Sequence, residues 1–252
     1  MSRNYSLPGV TDNSCIDRKS VADFFDKRAE KISTVGPLHA VIYQDKHHDL
    51  AERRDTAEKK KLLPLLRLDG SQRILDIGCG TGRWTNNLAK AGGWYHGMDA
   101  CGGLIDFARK NHSAPNRVFT IASADRFSLQ TLHETVPFDR ILCAGVLIYL
   151  NDTEVKEALR CMADVLTLGG LILIREPMGI KQRLTISQHY SDELEQEYNA
   201  IYRTQEELES MIQTAIPRPI FRLLSSGQVF DDPGLNNRSD TCQRWLLLER
   251  VE

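Results

Sequence analysis

No stretch of this chain approaches the roughly 18 consecutive apolar residues of a membrane-spanning helix. The polar start Met1-Ser2-Arg3-Asn4-Tyr5 lacks the pattern of a secretory leader, so a cytoplasmic protein is expected. Neither sign of charge dominates. Lys and Arg number 32 against 34 Asp and Glu, a net charge of −2 with a pI near 6.4. That balance lacks the basic footprint of a nucleic-acid binder, and neither nucleic acid nor membrane is expected as a partner. The six cysteines, at 15, 79, 101, 143, 161 and 242, form no Cys-x-x-Cys pair and no regular spacing. A disulfide framework is excluded, and the thiols are expected reduced. His47 and His48 are adjacent and point apart on either a helix or a strand, so no metal is expected.

What the chain does have is an alternation of short apolar runs with helical periodicity, the pattern of an α/β protein with a parallel sheet. At 252 residues it can bury the core of one full domain. Seven strands are predicted, at 73–77, 94–98, 118–122, 140–144, 171–175, 220–224 and 244–251. The clearest helix follows the fourth. Asn151 caps it with Glu154 at the third helical position, Val155, Leu159, Met162, Ala163 and Leu166 form its apolar face, and Gly169-Gly170 ends it. Residues 1–70 precede the sheet and read as an N-terminal helical cap, with helices over 21–31 and 48–68 and a loop at 32–37 containing Pro37. Residues 71–252 form the main domain. It carries an insertion at about 176–204, in which the strongly charged run Asp192 to Glu197 reads as a solvated amphipathic helix.

The most informative segment is Ile74-Leu75-Asp76-Ile77-Gly78-Cys79-Gly80-Thr81-Gly82, followed one apolar strand later by Asp99. Glycine allows a sharp turn and close approach of backbone to ligand. An acidic residue at the end of the next strand can accept hydrogen bonds from a ribose diol. The spacing is not the Gly-x-Gly-x-x-Gly of dinucleotide enzymes, and no Lys-Ser or Lys-Thr pair follows as in a phosphate-binding P-loop. A nucleoside without a pyrophosphate fits better.

At these residues the chain resembles the class I, Rossmann-like S-adenosylmethionine (SAM)-dependent methyltransferases of small molecules. Their first motif is a hydrophobic-Asp-hydrophobic-Gly-x-Gly-x-Gly run, matched here from Ile74 to Gly82. The resemblance implies a doubly wound, seven-stranded, mostly parallel sheet and SAM as cofactor. It implies that Asp76, Gly78, Cys79, Gly80, Asp99 and Ala100 surround the cofactor, and that Asp125, between Ala124 and Arg126, bonds the adenine amino group. Cys79 and Cys143 read as small packing residues rather than nucleophiles, and both are counted among the residues around the cofactor. The run Val21-Ala-Asp-Phe-Phe-Asp-Lys-Arg-Ala resembles the N-terminal helix that covers the cofactor in many such enzymes. Phe25, Tyr43 and Arg53 are the lid contacts expected there.

Many small-molecule members carry a histidine after the fourth strand, where this chain has Ile148-Tyr149-Leu150. A general base is therefore sought elsewhere. His189 comes first, since histidine titrates near neutrality, and Glu176 second. Tyr149, Tyr190, Tyr198, Asn199 and Tyr202 are expected, with Phe25, to surround the acceptor, because tyrosines with a few oriented polar groups suit a partly apolar pocket. The expected reaction is methyl transfer to an oxygen or nitrogen of a small molecule, a sugar or natural-product intermediate. Two alternatives stand beside it. An enzyme of the same fold could consume SAM through its aminobutyryl arm, for example by cyclising it, or the protein could bind SAM without catalysis.

Overall fold

A computed structural model describes residues 2–6, 14–42, 48–191, 194–215, 220–236 and 238–252. The first part of the chain gives strand β1 (Ser2–Tyr5) and helices α1 (Arg18–Glu30), α2 (Ile32–Val35), α3 (Pro37–Ile42) and α4 (His48–Leu62). There follow β2 (Arg73–Ile77), α5 (Thr85–Ala91), β3 (Trp94–Asp99), α6 (Gly102–His112), β4 (Arg117–Ile121), β5 (Phe138–Ala144) and α7 (Asp152–Val165). The last part comprises β6 (Leu166–Gly179), β7 (Leu184–Ser191), β8 (Gln196–Tyr202), α8 (Gln205–Thr214), β9 (Phe221–Gln228) and β10 (Thr241–Arg250).

Seven of these strands form one sheet in the order β4-β3-β2-β5-β6-β10-β9. All neighbours are parallel except β10, which runs antiparallel to both β6 and β9. Strand order reverses between β2 and β5, and a crevice for a ligand opens beyond the carboxyl ends of strands at such a point. Alternate side chains serve opposite faces. Leu171 and Leu173 of β6 join the core built with Leu62, Leu88 and Ile105 of α4, α5 and α6, while Ile172 and Ile174 join that built with Leu159 of α7 and Leu208 of α8. Helices therefore cover both faces, as a doubly wound sheet requires.

The capping box of α7 forms as expected, with Asn151 N–H donating to Glu154 Oε2 at 2.7 Å. The helix stops sooner than expected. Leu166 begins β6, Gly169-Gly170 lies inside the strand, and the Arg250 guanidinium satisfies the carbonyls of Ala163 and Leu166 that further turns would have used. In the cap, residues 32–35 form the short helix α2 instead of a loop. The helix expected over 48–68 ends at Leu62 in a 3-10 turn, where Pro64 has no N–H to continue it. Arg28, fully buried, ties α1 to α3 by donating to the carbonyls of Ala40 (3.1 Å) and His39 (2.7 Å).

The insertion is not helical. β7 and β8 pair antiparallel, and β1 adds a third strand on β7. Branched and aromatic residues such as Thr185, Ile186, Tyr198 and Tyr202 favour this pleated surface, and the sheet buries Leu184, Ile186, Ala200 and Tyr202 against Ile16, Val21, Ile148 and Tyr149. Register shifts between Ile186 and His189, where Gln188 adopts a φ of +50° and donates its N–H to Asn199 Oδ1 at 2.8 Å. Such a bulge redirects the residues that follow it. Among the described residues no helix is long and apolar enough to cross a membrane.

Candidate active site

Strand β2 ends in the glycine loop exactly where the sheet reverses order, and the loop turns back on the neighbouring strand: Gly78 and Cys79 N–H groups both reach Met98 O, at 2.8 and 2.9 Å. Gly78 adopts a φ of +69°, and a Cβ there would overlap the Val146 side chain, so both conformation and space call for glycine. Asp99, at the end of β3, accepts from Gly80 N–H at 3.0 Å and from Cys101 N–H at 2.9 Å. The loop and the carboxylate thus fix each other. Both border a cavity of about 470 Å³ that runs from this loop to the β7–β8 lid.

Of the expected site residues, the cavity brings together Phe25, Asp76, Gly78, Cys79, Gly80, Asp99, Ala100, Ala124, Tyr149, His189, Tyr198 and Tyr202. Others stand apart from it. Arg53 is 60 % exposed and pairs with Asp232, because its place on α4 faces solvent while Arg54 faces inward. Arg126 is 83 % exposed, and Tyr190 is exposed on the outer side of the lid. Cys143 is fully buried in β5 within the core shared with α7. Asn199 is buried and spent on the bulge. Asp125 accepts from Ser123 Oγ, and it is Ser123 and Ala124 that face the cavity at this turn. Tyr43 and His47 lie outside the described residues.

Glu176 is buried and does not border the cavity. Its carboxylate accepts the backbone N–H groups of Val146 (2.8 Å), Leu147 (2.9 Å) and Ile148 (3.4 Å). It therefore holds the turn after β5 that carries Tyr149. Arg203 grips the same turn from β8's end, donating to the carbonyls of Leu147 and Leu150. Glu176→Gln keeps an acceptor for Val146 and Leu147, so turnover is expected to stay within threefold of wild type. A general base at this position would lose at least about a hundredfold.

Burial dominates the titration of the acidic groups. It pushes Asp76 up to about 7, although Tyr95 Oη donates to that carboxyl at 2.8 Å, and it pushes Glu176 to about 7 against its three N–H donors. The Asp99 carboxyl is also raised by burial, against its backbone donors. Burial raises the Cys79 and Cys143 thiols well above their ordinary range, which leaves both protonated and unreactive. Carboxyls that bind protons more tightly when folded than unfolded favour the folded state at low pH, and this advantage is lost as pH rises through about 7. The melting temperature of the ligand-free protein is therefore expected to fall between pH 6.5 and 8. His96 and His112, whose values burial lowers, act in the opposite sense and offset part of this fall near pH 6.5, where their unfolded imidazoles finish titrating. A profile that rises there would show both carboxyls ionised throughout.

A set of residues of which only Arg175 stood out in the sequence forms the wall between the glycine loop and β6. Glu58, 1 % exposed, pairs with Arg83 at 2.8 Å and with Arg175 at 3.0 Å. Asp55 pairs with Arg83 at 3.0 Å and with Lys59 at 2.6 Å. Burial acts to raise Glu58, but Arg175 and Arg83 more than offset it and hold the carboxyl below its ordinary range. Arg83 and Trp84 directly follow Gly82, and that adjacency was the one available signal. Among the described residues no group of three or more His, Cys, Asp or Glu side chains could hold a metal ion.

These residues fit a nucleoside with a charged amino-acid arm: a carboxylate on β3 with lone pairs free to accept from a diol, a close-approach loop, and ionisable groups beyond it. A family model described as a methyltransferase domain matches residues 74–170. Phosphoethanolamine N-methyltransferase 1 of Zea mays is 27 % identical over 162 residues, covering 64 % of this chain and 30 % of that one, so the chain spans under a third of this relative. A probable cobalt-precorrin-6B C(15)-methyltransferase (decarboxylating) of Saccharolobus solfataricus is 30 % identical over 180 residues, covering 69 % of this chain and 72 % of its own. The solved structure of Haemonchus contortus phosphoethanolamine N-methyltransferase 1, with phosphoethanolamine and S-adenosylhomocysteine, superposes with a TM-score of 0.70 at 21 % identity, covering 93 % of this chain and 49 % of that one. With the glycine loop, Asp99 and the strand order, these likenesses establish that the chain belongs to the class I SAM-dependent methyltransferases.

Proposed function

We propose that the protein transfers the methyl group of SAM to an oxygen or nitrogen of a small molecule, such as a sugar or natural-product intermediate, held between the glycine loop and the lid. The observation that carries this reading is the single cavity shared by Asp99 and the glycine loop at one end and His189, Tyr198 and Tyr202 at the other. The sulfonium of the cofactor supplies an already activated methyl group. The protein's task is to hold the acceptor atom about 3–3.5 Å from it, in line with the leaving sulfur, and to exclude water. The aromatic wall serves that end: Phe25 meets Tyr149 edge-on at 5.0 Å, and Tyr198 Oη lies 3.4 Å from Tyr149 Oη and 3.0 Å from Tyr202 Oη. We assign proton removal from a hydroxyl or ammonium acceptor to His189, the register partner of Tyr198 on the neighbouring strand, which borders the cavity.

The test is product analysis with SAM and a panel of small hydroxyl and amino acceptors. Accumulation of S-adenosylhomocysteine with a methylated acceptor supports the reading. Release of methylthioadenosine would replace it with consumption of the aminobutyryl arm, and unconsumed but bound SAM with every acceptor would make the protein a binder. With the acceptor in hand, Tyr198→Phe/Tyr202→Phe should lower kcat/KM at least tenfold, about 1.4 kcal/mol of transition-state stabilisation. SAM affinity should stay within a few-fold, since both hydroxyls lie at the lid end.

A further inference from the structure

Burial of a guanidinium is costly unless an opposite charge and hydrogen-bond acceptors compensate it. At the wall described above, compensation is incomplete. Four basic side chains, Arg54, Lys59, Arg83 and Arg175, meet two ionised carboxylates, Asp55 and Glu58, and the two further carboxyls that act on them, Asp76 and Glu176, are held at about 7 by burial and offset the remaining charge only in part. Arg54 is the least matched. It is 7 % exposed, its Nε donates to Leu235 O at 2.7 Å, and its Nη2 is buried without a protein partner. Two more buried donors share that condition, Arg175 Nε and Trp84 Nε1, and all three side chains border the cavity. Burial, with the Arg175 charge beside it, draws the Arg54 guanidinium down to about 10.

We propose that the wall formed by Arg54, Trp84 and Arg175 seats an anionic group of the acceptor, a phosphate or a carboxylate. This rests on the methyl-transfer reading and narrows its substrate class. Charge balance separates the acceptor from the cofactor as the source of the anion. SAM carries a sulfonium and an ammonium against one carboxylate, so on its own it adds positive charge to a wall already in positive excess. An anionic acceptor neutralises both. Because these nitrogens are buried while their side chains border the cavity, seating an oxygen there requires the side chains to rotate toward it. Three donors, two of them on guanidinium groups, suit the several lone pairs of a phosphate or carboxylate.

The experiment titrates inorganic phosphate into the full chain saturated with S-adenosylhomocysteine, by calorimetry in a zwitterionic buffer. Saturable millimolar binding is expected. Arg54→Gln and Trp84→Phe should each weaken it at least fivefold, while S-adenosylhomocysteine itself stays within threefold of wild type. Phenylalanine keeps the ring beneath Lys59 and Arg83, whose cations lie 5.8 and 5.0 Å from the Trp84 ring, so this variant retains the packing if Arg54→Gln does not fold. A wild-type protein that binds S-adenosylhomocysteine but no phosphate overturns the seat and leaves the methyl-transfer reading standing. If the variants instead weaken S-adenosylhomocysteine tenfold yet bind its decarboxylated analogue normally, the seat belongs to the cofactor's own carboxylate and the proposal is wrong. Failure of S-adenosylhomocysteine to bind at all removes both readings together.

Discussion

Asp99→Ala is expected to weaken SAM binding by about 2 kcal/mol, roughly thirtyfold, the scale of hydrogen bonds made to a charged group. The carboxylate sits at the end of β3 with Gly80 N–H on one oxygen and Cys101 N–H on the other, which leaves its remaining lone pairs to accept from a ribose diol at the cavity. Alanine removes those acceptors and also frees the Gly80 N–H, so the loop loses its brace. Calorimetric titration with S-adenosylhomocysteine reads the first effect, and Asp99→Asn, which keeps an acceptor for Gly80, separates it from the second. An unchanged dissociation constant in the alanine variant would refute the ribose assignment.

Arg203→Met should cost about 3 kcal/mol of stability, because it removes a buried guanidinium from a half-buried carboxylate and leaves two turn carbonyls without their donor. Arg203 is 4 % exposed and donates to Asp152 Oδ1 at 2.6 and 2.9 Å, to Leu147 O at 2.8 Å and to Leu150 O at 2.7 Å. Among the described residues, Arg183 at 2.9 Å would remain on Asp152, and two carbonyls of the Tyr149 turn would lose their donor. For a chain of this size the melting temperature falls by about 2–4 °C per kcal/mol, so a drop near 10 °C is expected. Arg203→Lys should recover part of it. A melting temperature within 2 °C of wild type would mean that the turn is held by Glu176 alone.

The sheet was legible because parallel strands buried on both faces read as continuous apolar runs. Arg73–Ile77 falls where expected, and the edges of β3 and β4 move by one residue. The glycine loop and Asp99 were legible because backbone geometry constrains residue type there. The lid was misread for a physical reason. Its strands find a partner in β1, almost the whole length of the domain away in sequence, and local charge at Glu195 and Glu197 says nothing of such pairing. The wall around Glu58 escaped for a similar reason. Glu58-Lys59-Lys60-Lys61 reads as a solvated helical face until Arg83 and Arg175 arrive from two other elements and enclose it.

The lid sheet has only three strands, and β1, one of its edges, is four residues long. A sheet that small has little independent stability. Its backbone amides are therefore expected to exchange with solvent through local opening, at a free energy below that of unfolding the seven-stranded sheet beneath, which hydrogen exchange would read. Opening of that small sheet alone would then expose the cavity while the glycine loop and Asp99, fixed to the larger sheet, stay in register.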